Sequence, residues 1–157
     1  MATLLKGKFV SADINERLKA EAEALRQASI IPKLAILRVG EREDDLAYER
    51  AAIKRCAAVG VEVSQVILSE DVKQSELISS IKKLNEDSSV HGVLIFRPLP
   101  KHLNDEEVRS TLLTKKDVDG ITDGSMAGVY AGTNLGFAPC TAAACIELLS
   151  HYGVELQ

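Results

Sequence analysis

The hydrophobic positions of this chain fall into three short runs, separated by longer amphipathic stretches; the first and third runs are apolar, and the second alternates with polar residues. The runs cover residues 34–39, 61–68 and 90–96. Short apolar runs with β-branched residues are typical of strands in a sheet that is covered on both faces. Gly40 ends the first run. Two prolines, Pro98 and Pro100, end the third, because proline lacks the N–H that a strand ladder needs.

The polar stretches around these runs predict helices. The first helix is expected from Ser11, as its N-cap, to about Ala28, with an apolar stripe of Ile14, Leu18, Ala22 and Leu25. A second helix is expected after the acidic residues 41–45 and ends near Gly60.

Three further helices and two irregular segments complete the prediction. The helices are expected at 75–85, 104–113, beginning with a capping box from Asn104 to Glu107, and 141–152, capped by Thr141. Residues 1–10 are expected to form an edge segment, and the glycine-rich residues 120–139 to form loops with a short hairpin.

The order strand, helix, strand, helix, strand predicts an α/β fold. A mainly parallel sheet would lie between two helical layers, giving three α/β/α layers in one domain over residues 1–157. Open sheets of this kind bind ligands at the carboxyl ends of their strands. We therefore expect a ligand crevice where the 90–96 strand ends, at Ile95, Phe96, Arg97 and Pro98.

Composition and charge exclude several functions. The net charge of −4 gives no reason to expect a nucleic acid or an anionic membrane as a partner. No apolar run reaches the ~20 residues that span a bilayer, and the N-terminus does not resemble a secretory signal. Cys56, Cys140 and Cys145 form no CxxC pair, so we expect reduced thiols in the cytoplasm and no metal site.

Two carboxylates stand one residue apart before a glycine, at Asp117, Asp119 and Gly120. Considered alone, this spacing favours residues that cap a turn over residues that bind a ligand. The three histidines are scattered along the chain, and His102 is expected to fix the loop that follows Pro100.

Several motifs, taken together, resemble one enzyme family over nearly the whole chain. The chain is similar to the bifunctional methylenetetrahydrofolate dehydrogenase/methenyltetrahydrofolate cyclohydrolase family in the order and spacing of its segments. The matching segments are residues 32–35, Val39-Gly40, Tyr48, residues 92–94, Pro98-Leu99-Pro100-Lys101-His102, Lys116-Asp117-Val118-Asp119-Gly120 and Pro139-Cys140-Thr141. The resemblance is to the N-terminal, folate-binding catalytic domain. We expect the chain to be part of a two-domain enzyme and to lack the C-terminal Rossmann domain.

The resemblance implies an activity, a cofactor and partners. Enzymes of this family oxidise 5,10-methylenetetrahydrofolate with NAD(P) and hydrolyse the methenyl product to 10-formyltetrahydrofolate. It implies tetrahydrofolate derivatives as ligands and a homodimer of the full-length enzyme. NADP or NAD would bind through the C-terminal domain, so no cofactor is expected on this part of the chain.

The resemblance also assigns two binding residues. Asp119 corresponds to the family's pterin-binding acid, which accepts hydrogen bonds from the pterin amino group and ring N–H. An ionised carboxylate suits that role because it has two acceptor oxygens and no donor. Tyr48 corresponds to the tyrosine that packs against the pterin. Asp117 is expected to be structural.

The chain departs from the family pattern at three site positions. The family has a catalytic lysine four residues after the tyrosine, and Ala52 stands there in this chain. The glutamine that partners this lysine is replaced by Phe96, and a serine three residues before the tyrosine is replaced by Asp45. The family mechanism therefore does not transfer directly.

Two interpretations remain open. In the first, the site is rewired: Arg55, seven residues after Tyr48, and Arg97 supply positive charge, and Asp45 acts as the base, because arginine is a poor general base. In the second, the chain is a folate-binding module with weak or no catalysis, and its basic residues form a solvated helix face.

Overall fold

The computed structural model describes residues 4–155. Within them lie six α-helices, three strands and a short 3-10 helix at Thr114–Lys116. In chain order the elements are α1 (Gly7–Gln27), β1 (Lys33–Val39), α2 (Glu43–Ala58), β2 (Glu62–Leu68), α3 (Gln74–Glu86), β3 (Gly92–Ile95), α4 (Asp105–Thr111), α5 (Asp123–Ala131) and α6 (Cys140–His151). Among these described residues, no helix is long and apolar enough to cross a membrane.

The three strands form a parallel sheet in the order β2-β1-β3. The chain moves one way from β1 to β2 through α2, and back across β1 to β3 through α3. Because such crossovers are right-handed, α2 and α3 cover opposite faces. Side chains of β1 alternate accordingly: Leu37 joins the apolar cluster against α3, while Arg38 meets α2. The predicted three-layer α/β/α fold is confirmed.

The apolar core lies between the sheet and the α3–α4 layer. Three inward residues of β1 and the whole predicted stripe of α3 are buried there, together with residues of β3 and α4. The main members are Ala35, Leu37, Val39, Leu77, Ile78, Ile81, Leu84, Val93, Val108 and Leu112. The periodic apolar positions thus bury the faces that the sequence assigns to the interior.

The strands β1 and β3 end at the same edge of the sheet. Gly40 follows β1 with a φ of +77°, and its N–H donates to Leu68 O at 2.9 Å. Phe96 N donates to Leu37 O at 2.9 Å, after which the Arg97–Pro98 peptide is cis and the chain leaves the sheet. The β3 strand is shorter than the predicted 90–96 run, because only Gly92–Ile95 pair with β1.

The N-terminal prediction is wrong in its boundary. Residues 7–10 belong to α1 rather than to an edge segment, and Lys6, not Ser11, occupies the N-cap position. Val10 is buried and extends the apolar stripe by one turn, which explains the earlier start. Residues 1–3 of the predicted edge segment lie outside the described residues.

The prediction of loops and a hairpin over 120–139 is also wrong, since α5 occupies the middle of that segment. Thr122 caps it, with Oγ1 accepting from Ser125 N at 3.2 Å, and Gly132 ends it in the left-handed region. Gly128 lies within the helix because Leu135 O packs where its Cβ would stand. Tertiary packing therefore overrides the low helix propensity of glycine here.

The remaining helices differ from prediction only at their ends. The capping box of α4 is half formed: Asn104 Oδ1 accepts from Glu107 N at 3.1 Å, whereas the Glu107 carboxylate accepts from Gln74 Nε2 at 2.8 Å. In α6, Pro139 occupies the N-cap position, so Thr141 is not the cap.

Candidate functional site

An open cleft of about 460 Å³ lies at the carboxyl edge of the sheet. It is bounded by the start of α2, the end of β3, the turn before α5 and the start of α6. The lining residues are Arg42, Asp44, Asp45, Tyr48, Leu94, Ile95, Phe96, Arg97, Asp119, Cys140 and Thr141. Six residues that the sequence analysis assigned to a site are therefore brought to one cavity: Asp45, Tyr48, Ile95, Phe96, Arg97 and Asp119.

The first two turns of α2 form one wall. Asp45 and Tyr48 lie three residues apart and so project from neighbouring parts of the same helix face. Asp45 is largely buried at its side chain (16% exposed) and lies 3.9 Å from Arg42 Nε. Tyr48 is 60% exposed, so much of its ring remains available for contact.

Phe96 forms the facing wall beside Tyr48. The two ring centroids are 5.4 Å apart and the ring planes are inclined by 60°. Phe96 itself is buried, while Tyr48 is open to the cleft. A flat aromatic ligand would therefore meet a tilted aromatic pair whose outer member can pack against it.

Arg97 is held by α4 rather than left free in the cleft. Its Nε donates to Asp105 Oδ1 at 2.7 Å and its Nη2 to Oδ2 at 2.5 Å. The pKa of Asp105 is lowered, first by the hydrogen bond from Arg97 and then by the charges of Arg97 and Arg109. Arg109 also donates to Asp123 at 3.1 Å. The positive charge of Arg97 is thus largely neutralised by a bidentate pair.

The two carboxylates of the turn before α5 have different environments. Asp117 is fully buried and accepts hydrogen bonds from Ile121 N, Thr122 N and Ser125 Oγ at 2.7–3.0 Å. Burial raises its pKa, but these hydrogen bonds outweigh that effect, so the pKa lies below its ordinary value. Asp119 is only half-buried and lines the cleft. Asp117 therefore holds the turn that presents Asp119.

Cys140 borders Asp119 at the start of α6. Its Sγ lies 3.2 Å from Val118 O, to which the thiol donates. Burial raises the pKa of the thiol, and the charge of Asp119 raises it further. The group therefore stays a thiol, as expected of a packing residue rather than a nucleophile.

Three of the predicted site residues do not line this cleft. Arg55 lies in the last turn of α2 and is exposed. Ala52 is half-buried, and Pro98 lines an adjoining cleft of about 320 Å³.

His102 does fix its loop, through a 3.0 Å hydrogen bond between Nε2 and Val72 O. No group of three His, Cys, Asp or Glu side chains suited to a metal ion occurs among residues 4–155.

The sequence analysis missed a buried polar network behind the α2 wall. Arg38 Nε donates to Glu49 Oε2 at 2.8 Å, and Gln65 Nε2 donates to Glu49 Oε1 at 2.8 Å. Arg38 also donates to Gly40 O. The sign of this network in the sequence is an arginine inside an otherwise apolar strand run. Arg42 and Asp44 are further lining residues that no motif singled out.

These features define an α/β domain with an aromatic and acidic ligand cleft at the carboxyl edge of a parallel sheet. The chain belongs to the tetrahydrofolate dehydrogenase/cyclohydrolase family, whose catalytic-domain model matches residues 5–119. The family expected from the sequence motifs is thereby confirmed.

The proteins that are similar to this chain are longer than it is. The bifunctional protein FolD of Alkaliphilus oremlandii is 45% identical over 157 residues, which are 100% of this chain and 55% of that protein. The bifunctional enzyme FolD-methylenetetrahydrofolate dehydrogenase/cyclohydrolase of Campylobacter jejuni superposes with a TM-score of 0.96 at 35% identity, over 99% of this chain and 55% of that one.

A second similar structure contains ligands. It is the N5,N10-methylenetetrahydrofolate dehydrogenase-cyclohydrolase (FolD) of Trypanosoma brucei, complexed with NADP cofactor and inhibitor. The TM-score is 0.89 at 30% identity, over 98% of this chain and 53% of that chain. This chain spans about half the length of the relatives that it matches.

Proposed function

We propose that the cleft binds a tetrahydrofolate derivative and that residues 1–157 are the catalytic domain of a folate one-carbon enzyme. The observation that carries the proposal is that Tyr48, Phe96 and Asp119 line one cavity. The family and the names of the relatives support the same ligand class, since both the A. oremlandii and C. jejuni proteins are bifunctional FolD proteins.

Asp119 and Tyr48 divide the recognition of the pterin ring between them. The Asp119 carboxylate accepts hydrogen bonds from the amino group and ring N–H, and charge-assisted bonds of this kind are among the stronger ones in proteins. The Tyr48 ring packs against the pterin face, with Phe96 holding it from behind. The polar and the aromatic contact thus come from different elements, which fixes the orientation of the ring.

The proposed activity is oxidation of 5,10-methylenetetrahydrofolate to the methenyl form, followed by hydrolysis to 10-formyltetrahydrofolate. In the hydrolytic step Asp45 is the candidate base, because its carboxylate lines the cleft one turn before Tyr48. Arg97, held by Asp105, orients this wall of the cleft. Arg55 is exposed at the far end of α2 and does not border the cavity, which favours Asp45 and Arg97 over Arg55.

The described residues do not fit a nucleotide cofactor. A dinucleotide pyrophosphate needs a glycine-rich turn between a strand and a helix. The turn after β1 contains only Gly40, the turn after β2 contains no glycine, and the turn after β3 contains Pro98 and Pro100. NADP or NAD would therefore bind another domain of a longer protein, and we derive no step through it.

Such a protein is expected to be a cytoplasmic homodimer.

A folate-binding module with weak or no catalysis is the second candidate function. It is favoured by Ala52 and Phe96, which replace the lysine and glutamine of the family pattern. Hydrolysis of the methenyl cation distinguishes the two, because this step needs no nucleotide. A rewired enzyme turns the cation over, whereas a binding module binds folate without turnover.

The test of the folate site is an Asp119→Asn variant in a calorimetric titration with a tetrahydrofolate analogue. Losing a charge-assisted hydrogen bond costs about 1.5–3 kcal/mol, so the Kd is expected to rise roughly 10- to 100-fold. Asp123→Asn is the matched control, because its carboxylate is 93% exposed and outside the cleft. Equal affinity of the two folded variants would refute the assignment of Asp119.

A further inference from the structure

The buried polar network behind α2 contains an ion pair that the proposed chemistry does not use. The side chains of Arg38 and Glu49 are 6% and 5% exposed, and their charges lie 2.8 Å apart. Arg38 belongs to the central strand, and Glu49 directly follows Tyr48 on α2. Charged side chains are almost never fully buried unless they are paired, as these two are, so the question is what the pair contributes at this place.

Stability alone does not explain the pair. Taking two charges out of water costs several kcal/mol per ion, and well-packed apolar residues of similar volume often stabilise a protein as much or more. The rest of this sheet face shows that apolar packing is available, since Ile36 on the same strand is fully buried. Unlike apolar side chains, the pair makes directional hydrogen bonds, which can fix the orientation of the elements that they join.

The hydrogen bonds of the pair connect three elements of the fold, β1, α2 and β2. Arg38 donates to Glu49 on α2 and to the carbonyl of Gly40, where β1 ends. Glu49 uses its second oxygen to accept from Gln65 on β2, at 2.8 Å. Both oxygens of the carboxylate are therefore held, and the rotation of α2 about its own axis is fixed relative to β1 and β2.

The rotation of α2 decides where Tyr48 lies. Consecutive residues of a helix are separated by about 100° around its axis. With Glu49 directed at the sheet, Tyr48 is turned toward the end of β3, where its ring meets Phe96 at 5.4 Å. Asp45 lies one turn before Glu49 and borders the same cleft.

We propose that Arg38 and Glu49 are positioning residues, which set the rotation of α2 so that Tyr48 and Asp45 face the cleft. The proposal rests on the proposed function for the identity of the ligand, but not for the placement of Tyr48. It assigns a role to two residues that do not line the cleft and that the family resemblance does not single out.

The test compares two double variants, each of which removes one ion pair made by a residue of β1. Arg38→Met with Glu49→Met replaces the pair by apolar side chains of similar length. Lys33→Met with Glu62→Met is the matched control, because this pair also contains a residue of β1 but lies at the opposite end of that strand, where it is 3.8 Å apart and partly exposed. Thermal unfolding establishes that each variant folds.

The first readout needs no ligand. The quantity measured is the NMR chemical shift of the Tyr48 ring protons, whose resonances are assigned with a Tyr48→Phe variant. The ring current of the neighbouring Phe96 contributes to this shift. We expect this contribution to fall by at least half in the Arg38/Glu49 variant and to stay unchanged in the Lys33/Glu62 variant. A folded Arg38/Glu49 variant with an unchanged Tyr48 shift overturns the proposal.

The second readout is the Kd for a tetrahydrofolate analogue, expected to rise about tenfold in the Arg38/Glu49 variant only. If the unsubstituted chain does not bind the analogue, the proposed function fails while the ring shift still decides the positioning role. Should the double variant not fold, Glu49→Gln is compared in the same way with Glu62→Gln. An unchanged ring shift in a folded Glu49→Gln variant then counts against the proposal.

Discussion

The rings of Phe96 and Tyr48 lie 5.4 Å apart, and they join the end of β3 to the second turn of α2 across the mouth of the cleft. Such a pair contributes about 0.5–1.5 kcal/mol beyond the area that it buries. Phe96 stands where the family pattern has a glutamine, and Ala52 stands where it has the catalytic lysine. In this wall Phe96 therefore makes an aromatic contact with Tyr48, at a position where the resemblance implies a polar side chain.

Restoring the polar pair is expected to raise the hydrolytic rate. In an Ala52→Lys, Phe96→Gln variant, the lysine would lie one turn after Tyr48 on the same helix face. General acid–base groups contribute about 10²–10⁴-fold to a rate, so hydrolysis of methenyltetrahydrofolate should increase by about tenfold or more. The decrease in methenyl absorbance over time, without nucleotide, measures the rate.

The matched control for this variant is Ala52→Met with Phe96→Gln, which supplies the length of lysine without its charge. It should hydrolyse the methenyl cation no faster than the unsubstituted chain. Equal rates for the lysine and methionine variants, both folded, would show that position 52 does not reach the reacting carbon.

Asp45 is expected to matter for whatever hydrolysis the unsubstituted chain performs. Asp45→Asn removes the proposed base while keeping its size, so the rate should fall by about 10²-fold. Glu43→Gln is the control, because Glu43 lies in the same turn of α2 and does not line the cleft. If Asp45→Asn leaves the rate unchanged, or if both variants lower it equally, Asp45 is not the base.

Asp117 is expected to stabilise the fold in a pH-dependent way. Its pKa is lowered in the folded chain, so its contribution is fully present above the unfolded pKa of about 3.9 and is lost as the pH falls through the lower folded value. Asp117→Asn should lower the free energy of unfolding by about 1–3 kcal/mol at pH 7. In urea unfolding, the difference should narrow below about pH 4. A difference that stays constant with pH would contradict this explanation.

Gly120 is expected to tolerate no side chain. Its φ is +69°, and a Cβ would lie 2.7 Å from Phe137 O and from Pro139 N. Gly132 has a similar φ of +63° but nothing within 4 Å, so Gly132→Ala measures the backbone cost alone, about 1–2 kcal/mol. Gly120→Ala should lower the free energy of unfolding by about 1–3 kcal/mol more than Gly132→Ala does, because the 137–139 segment must move. Urea unfolding measures both values. An equal decrease in the free energy of unfolding for both variants would mean that the 137–139 segment moves at no cost.

The sequence predicted the sheet and the helices that cover it because their signals are local. The period of Leu77, Ile78, Ile81 and Leu84 specifies one buried face of α3, and all four are buried as expected. The helix within residues 120–139 is not predicted, for the opposite reason. The backbone of Leu135, seven residues later, occupies the space that a Cβ at Gly128 would need, and the local pattern does not show this contact.

The site was predictable where a motif named the residue and not where partners come from distant elements. Asp119 and Tyr48 lie 71 positions apart in the chain, and the motifs identified both before the fold joined them at one cleft. The partner of Arg97 is different, because Asp105 carries no mark in the sequence that distinguishes it from Glu106. The same holds for Glu49, whose burial depends on an arginine in another element.

The alternating charges Arg97, Asp105, Arg109 and Asp123 run from the rim of the cleft to an exposed side chain at the start of α5. Their links differ in solvent access, since Asp123 is 93% exposed whereas Arg97 and Asp105 are each 37% exposed. Added salt weakens interactions between exposed charges more than interactions between partly buried ones. The chain of charges therefore loosens from its outer end inward, and the guanidinium beside the cleft is the last member to be released.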